Sequence, residues 1–257
     1  MGRFMQDHYS LVGKRILIAG GTRGIGRAIS LRFARAGACV IANYVRDDTS
    51  AEKLKQESID EGLSLEIYRA DLTSQKGLQS LNEFLGDASA RLSGLVYCAA
   101  TGVHRSVSEL TTRHFDWVFS LNVRAFFELV KLLMPRFAES SAIVTISSRG
   151  ATRAVPSYSL VGSSKGALEA LSRHLAFELA PKGIRVNVLS PGSVLTDAWE
   201  VMPDSALRIA ETIKRTPLGR LVTADEVAWA AQFLCSDASK GIIGHTLVID
   251  GGSSIVE

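Results

Sequence analysis

The stretch Arg15-Ile-Leu-Ile-Ala-Gly20-Gly-Thr-Arg-Gly24-Ile-Gly26-Arg-Ala-Ile-Ser30 decides the fold. Its first five residues form a short apolar run without polar alternation, the pattern of a strand buried on both faces. A glycine-rich turn follows, and then a helical pattern over residues 25–36. Glycines allow a tight turn and let backbone N–H groups approach a pyrophosphate, while the helix start adds partial positive charge. Read outward, the same alternation repeats along the chain. Strands are predicted at 15–19, 39–43, 65–70, 95–99, 142–147, 185–189 and 247–249. Helices are predicted at 25–36, 49–61, 74–88, 112–137, 158–180 and 223–234. Strands separated by helices imply an α/β fold, a single Rossmann-like domain with a doubly wound parallel sheet of about seven strands. Residues 1–10 read as an N-terminal extension and 11–257 as the domain.

Composition narrows the function classes. The chain has 257 residues, 46% hydrophobic and 21% charged, with a net charge of +3. That balance suits an ordinary folded protein, not a polycationic nucleic-acid binder, and remains compatible with an acidic partner. Residues 1–10 are polar and lack an apolar signal core. No apolar run reaches membrane-spanning length. Cys39, Cys98 and Cys235 show no paired spacing, and the five histidines show no metal-binding spacing. A reducing, cytoplasmic setting is expected, with no metal.

The chemistry-bearing pair is Tyr158 and Lys165, seven residues apart. On a helix, seven residues make nearly two turns, so both side chains are expected on one face. A nearby cation favours the phenolate and makes the phenol a better proton donor. After the second predicted strand the run is Asn43-Tyr44-Val45-Arg46, with no acid before Asp47. A ribose 2′-OH is often held by an acid there. Arg23 and Arg46 instead suit a 2′-phosphate, which favours NADP(H); the alternative is that both are solvated surface charges. Asp71 follows the third strand and is placed to accept from an adenine amino group, or to serve as a helix-start acid.

Nearly the whole chain resembles the short-chain dehydrogenase/reductase family. The resemblance rests on the Gly20/Gly24/Gly26 turn, Asp71-Leu72, Asn122, Ile146-Ser147-Ser148, the Tyr158/Lys165 pair, Pro191-Gly192 with Thr196, and Asp250-Gly251-Gly252. It implies a catalytic set of Tyr158, Lys165, Ser148 and Asn122. Ser148 would orient the substrate oxygen, Lys165 would hold the nicotinamide ribose and lower the tyrosine pKa, and Asn122 would hold a relay water. It implies a cofactor, NADPH/NADP+, on Gly20, Thr22, Arg23, Gly24, Ile25 and Gly26 of the turn. Tyr44, Arg46, Asp71, Leu72, Ala99, Lys165, Pro191, Gly192, Val194 and Thr196 complete that set. The helices at 112–137 and 158–180 correspond to the family's dimer faces, and a homotetramer is expected.

The chain departs from the family where it matters most. Most members place the tyrosine four residues before the lysine, and here that position is Val161. The Tyr-x6-Lys form resembles the enoyl-acyl-carrier-protein reductases of the superfamily, most closely the NADPH-dependent type III group. Supporting stretches include Ala99-Ala-Thr-Gly-Val and Thr216-Pro-Leu-Gly-Arg-Leu-Val222. In an enoyl thioester, hydride goes to Cβ while charge develops on the thioester oxygen, so a donor displaced by one turn has a rationale. The expected activity is NADPH-dependent reduction of a trans-2-enoyl thioester in fatty-acid or polyketide-type synthesis, with the substrate on acyl carrier protein. A 3-oxoacyl or other carbonyl reductase, using Tyr158 from an altered helix start, and a non-catalytic NADP-binding sensor remain as alternatives. Residues 193–217 match the substrate lid, with Leu195, Ala198, Trp199, Val201 and Met202 lining an acyl slot or packing on the body. Arg149 and Arg153 flank the catalytic loop, and Arg136 and Lys182 close helices expected to border it; the four either steer an acidic carrier or are simply solvated charges. Ala19 and the Tyr97-Cys98-Ala99-Ala100 run replace polar family residues, which predicts a weakened brace at the central strand. Cys98 itself reads as a small buried hydrophobe.

Overall fold

The computed structural model describes residues 7–195 and 205–256. Seven strands lie in one parallel sheet: β1 (Arg15–Ala19), β2 (Cys39–Tyr44), β3 (Leu65–Arg69), β4 (Leu92–Tyr97), β5 (Phe137–Ile146), β6 (Arg185–Pro191) and β7 (Thr246–Ile249). Their order is β3-β2-β1-β4-β5-β6-β7. The chain leaves β1 toward β2 on one side and returns to β4 on the other. This reversal opens a crevice at the carboxyl ends of the strands.

Both faces of the sheet are covered, which explains why the central strands lack polar alternation. Side chains of β1 divide between two layers. Leu17 and Ala19 face a core built with Leu78 and Leu81, Phe126 and Leu129, and Leu168 and Leu175. Those pairs come from α3 (Gln75–Phe84), α5 (Ala125–Leu133) and α6 (Ser159–Leu179). Ile16 and Ile18 face the opposite core with Ile29, Phe33, Val227 and Leu234, from α1 (Gly24–Arg35) and α8 (Ala224–Cys235). The remaining helices are α2 (Asp48–Asp60), α4 (Thr112–Phe119) and α7 (Ser205–Lys214). The expected cap of α8 is present: Thr223 and Glu226 exchange the two bonds of a capping box. Among the described residues, no helix is long and apolar enough to cross a membrane.

Three expectations are corrected. The helix expected at 112–137 is broken into α4, a π turn at Ser120–Arg124, α5 and a 3-10 turn at Met134–Arg136, and β5 already begins at Phe137. The helix expected to reach residue 88 ends at Phe84, because Gly86 adopts a left-handed φ of 79° just beyond it. Arg136 and Lys182 do not border the catalytic loop. They precede the starts of β5 and β6, at the edge of the sheet opposite the crevice. Arg136 is buried and donates to the carbonyl and side-chain oxygens of Asn82.

The predicted weakness of the central strand is also corrected. Tyr97 is buried, donates its hydroxyl to the Leu121 carbonyl at 2.5 Å, and sets its ring 5.2 Å from that of Phe126. It thus ties β4 to the π turn that carries Asn122. Tyr97→Phe leaves the ring and removes the bond. The expected cost is about 1–2 kcal/mol, read as a fall of roughly 2–4 °C in thermal midpoint for each kcal/mol.

Candidate active site

The crevice begins at the glycine turn. Gly20 has a φ of 73°, and a Cβ there would stand 2.9 Å from the Ala99 backbone. A Cβ on Gly26 would overlap the carbonyl oxygen of Gly20. From the first turns of α1, Ser30 donates its hydroxyl to the carbonyls of Gly21 and Gly26 at 2.8 and 3.0 Å, a brace absent from the sequence reading. Arg23 is the N-cap of α1. No side chain caps this helix, and its first turn carries no acid. An uncapped helix start behind a glycine cradle fits the pyrophosphate of a dinucleotide. Thr22 is buried in the turn, and Ile25 packs against the α1/α8 core.

The ends of β2 and β3 carry the adenosine-side candidates. Asn43 is buried and donates to the carbonyls of Tyr68 and Ala70, so it joins strands and does not face a ligand. Tyr44 donates its hydroxyl to Asp48 at 2.9 Å. Asp47 is occupied as the cap of α2, accepting from the Ser50 backbone and hydroxyl at 2.9 and 2.7 Å. Those bonds, joined by the field of Arg23, hold its carboxyl below the usual range. Arg23 and Arg46 are exposed on this rim. Arg69, not foreseen from sequence, reaches the same loop through the Val45 carbonyl and Asp48. Asp71 accepts from the Thr73 N–H and hydroxyl with one oxygen, closing a local turn. Leu72 is a core residue, so its side chain is not a cofactor contact.

Three consecutive residues at the end of β5 each engage α6 or its cap. The Ile146 carbonyl accepts from Lys165 Nζ at 2.7 Å. Ser147 donates its hydroxyl to Glu169 Oε1 at 2.6 Å. Ser148 Oγ and the Tyr158 hydroxyl lie 3.4 Å apart. Tyr158, Lys165 and Ser148 therefore converge as expected, but Tyr158 is not inside the helix. It is the N-cap of α6, with φ −122° and ψ 11°, and its carbonyl accepts the first helical bond from Gly162 at 2.7 Å. Ser157 before it has a φ of 57°, an uncommon left-handed conformation that turns the chain into the helix. The ring is seated against glycine: a Cβ on Gly150 would meet it at 2.5 Å, and a Cβ on Gly162 at 3.5 Å. The His104 ring stands edge-on to it at 5.4 Å. Gly150 and His104 carried no signal in the sequence pattern. Val161 is buried.

Burial pushes the Tyr158 phenol up, and the group that offsets it is the Ser148 hydroxyl, not Lys165. Burial pushes Lys165 down to about 8, against the opposing fields of Cys98 and Glu169. Burial also pushes the Cys98 thiol up to about 12, which makes it inert as a nucleophile. The side chain of Asn122 is fully engaged in bracing: it accepts from Thr101 N–H and donates to the Thr101 carbonyl and Ser164 Oγ. Any relay through Asn122 falls to its backbone.

The last wall is formed by the ends of β6 and β7. Pro191 ends β6, Gly192 donates to the Ile249 carbonyl at 3.0 Å, and Val194 bridges to Val222. Asp250 accepts from the Gly252 and Ser254 N–H groups and from the Ser253 hydroxyl. Leu195 is exposed. Thr196, Ala198, Trp199, Val201 and Met202 lie outside the described residues.

A family model described as enoyl-(acyl carrier protein) reductase matches residues 19–254. The chain belongs to the short-chain dehydrogenase/reductase family. As a member it is an oxidoreductase. The 1-cyclohexenylcarbonyl-CoA reductase of Streptomyces collinus is 33% identical over 93% of this chain and 86% of its own. The 7alpha-hydroxysteroid dehydrogenase of Escherichia coli K12 is 33% identical over 97% of both chains. Among solved structures, a gluconate 5-dehydrogenase from Burkholderia cenocepacia J2315 in complex with NADP and tartrate aligns at a TM-score of 0.89. It is 27% identical and covers 98% of this chain and 99% of its own. A 7 alpha-hydroxysteroid dehydrogenase complexed with NADH and 7-oxo glycochenodeoxycholic acid aligns at 0.90, with 33% identity over 97% of this chain and 98% of its own.

Gly26→Ala places a methyl group on the Gly20 carbonyl. This family member is expected to lose dinucleotide binding by about tenfold or more, since the turn must open. Fluorescence titration with NADPH against the unsubstituted protein checks it.

Proposed function

We propose that the protein is an NADPH-dependent reductase of trans-2-enoyl thioesters. The observation that carries this reading is the built seat of Tyr158. Glycine at 150 clears room for the ring, glycine at 162 lets the Gly150 backbone approach the helix, Val161 fills the ordinary tyrosine position, and the phenol still reaches Ser148 at 3.4 Å. A tyrosine that had merely drifted from its place would need no such seat. The relative from Streptomyces collinus adds support, because its name denotes a thioester whose double bond is conjugated to the carbonyl.

The cofactor, when bound, supplies hydride to Cβ of the acyl group. Tyr158 and Ser148 would then hold the thioester oxygen as negative charge develops on it, and the Tyr158 hydroxyl provides the nearest proton. Lys165, fixed by the Ile146 carbonyl, would hold the nicotinamide ribose. The glycine cradle and the uncapped start of α1 would seat the pyrophosphate. Tyr44 stands where a ribose-binding acid would select NAD, and the exposed Arg23 and Arg46 suit a 2′-phosphate. Arg149 and Arg153 lie on the loop beside Ser148, where they would meet an acidic carrier protein. Phe115, Trp117, Phe127 and Phe177 are exposed on α4, α5 and α6, which supports a homotetramer assembled through these helices.

A carbonyl reductase is the second reading. Ser148 and Tyr158 are close enough to share one carbonyl oxygen, and the hydroxysteroid dehydrogenase is as similar as the enoyl relative.

The deciding assay follows NADPH oxidation with crotonyl and acetoacetyl thioesters side by side. Crotonyl thioester is expected to be preferred, and Tyr158→Phe to lower its kcat by about 10²–10⁴. Faster acetoacetyl reduction, or full crotonyl activity in Tyr158→Phe, would sink the enoyl reading. Arg46→Ala is expected to raise the KM for NADPH about tenfold, the loss of one charged hydrogen bond, while leaving that for NADH unchanged.

A further inference from the structure

The engagement of β5 with α6 includes one buried acid that the reaction scheme does not use. Glu169 is 6% exposed. It lies one helical turn beyond Lys165, so both project from the same side of α6. Its Oε1 accepts the Ser147 hydroxyl at 2.6 Å. Ser147 is itself buried, between the residue whose carbonyl holds Lys165 and the residue that faces Tyr158. One turn further along α6, Ser172 meets Thr145 of β5 at 3.2 Å and continues the seam.

We propose that Glu169 is a positioning residue of the active site. Tethered to Ser147, it locks the Ile146–Ser148 segment against the helix that carries Lys165, and so fixes lysine, serine and tyrosine in one mutual geometry. Burying a carboxyl group is costly unless it is hydrogen-bonded, so a merely structural contact here would be better served by an apolar side chain. The carboxyl group has a second effect. The groups facing Lys165 are Cys98, just past the end of β4, and Glu169 from its own helix, and both favour the ammonium against its burial.

The test uses three variants of the full chain and two readouts. Glu169→Gln keeps an acceptor for Ser147 and removes the charge. Ser147→Ala removes the tether, and Ser147→Thr restores a hydroxyl. The first readout is the Lys165 ammonium titration followed by NMR of side-chain-labelled lysine, without cofactor or substrate. The second is kcat on the preferred thioester, with thermal midpoints recorded throughout. In Glu169→Gln the Lys165 midpoint is expected to fall by about half a unit or more, moving the alkaline limb of activity to lower pH. In Ser147→Ala the midpoint is expected to stay, kcat to fall roughly tenfold or more at unchanged KM, and Ser147→Thr to recover it. A Ser147→Ala protein with unchanged kcat, or a Glu169→Gln protein whose Lys165 titrates like the original, overturns the proposal. So does one that only loses thermal stability. The inference rests on the reductase reading for its kinetic arm alone. If the unsubstituted protein reduces no thioester, that reading fails, and the Lys165 titration still decides the role of Glu169.

Discussion

An ammonium group sits almost out of reach of water at the end of the fifth strand, held by one backbone carbonyl. Burying such a charge is expensive, and an unpaired one would deprotonate or escape to solvent. The bond from Lys165 to Ile146 prevents the escape and at the same time fixes the distance between sheet and helix. With α6 anchored there, Ser147 and Ser148 fall opposite Glu169 and Tyr158 without further adjustment. The crevice at the strand ends then has a rigid floor, and the glycine turn on β1 supplies the opposite wall. Each catalytic candidate is thus placed by secondary structure, with loops adding only the seat of the tyrosine.

The chain compensates for its departures from the family near the point of loss. Ala19 contributes no hydroxyl to the glycine turn, but Ser30 reaches back from α1 and bonds two carbonyls of that turn. Tyr97 replaces a shorter polar residue and spans the gap to Leu121 with its phenol. In both cases a longer reach from a neighbouring element replaces a local contact. Such exchanges preserve geometry while changing which residue provides it.

Much of this was legible in the sequence, for a physical reason. Strands buried on both faces and helices with one apolar stripe have distinct periodicities, so the α/β alternation and the glycine turn could be read directly. Tyr158, Lys165 and Ser148 could be placed together because Ser148 follows a strand end and Lys165 lies about two turns beyond Tyr158 along one helix. What could not be read depends on side chains meeting across elements. The π turn at residues 120–124 leaves no periodic trace, so 112–137 looked like one helix. Arg136 and Lys182 looked adjacent to the site because helix ends carry no label saying which edge of the sheet they reach. Spacing alone leaves Tyr158 open between the helix face and the helix start, because it cannot separate a capping residue from a helical one. The seat formed by Gly150 and the edge-on His104 ring are long-range contacts with no local signature.

The bare start of α1 has a consequence for how the protein lives. Four other helices are finished by side chains: Asp47 caps α2, Ser74 caps α3, Thr111 caps α4 and Thr223 caps α8, while α6, like α1, starts without one. At α1 the finishing group is absent from the polypeptide, and a bound anion would supply it. The native state is then completed from outside, and by mass action its stability rises with the logarithm of ligand concentration once binding sites begin to fill. Newly made chains would accordingly persist better in cells rich in dinucleotide than in depleted ones, because partially opened chains are the ones proteases consume. A gap of one side chain at a helix end would thereby couple the lifetime of the protein to the supply of its own cofactor.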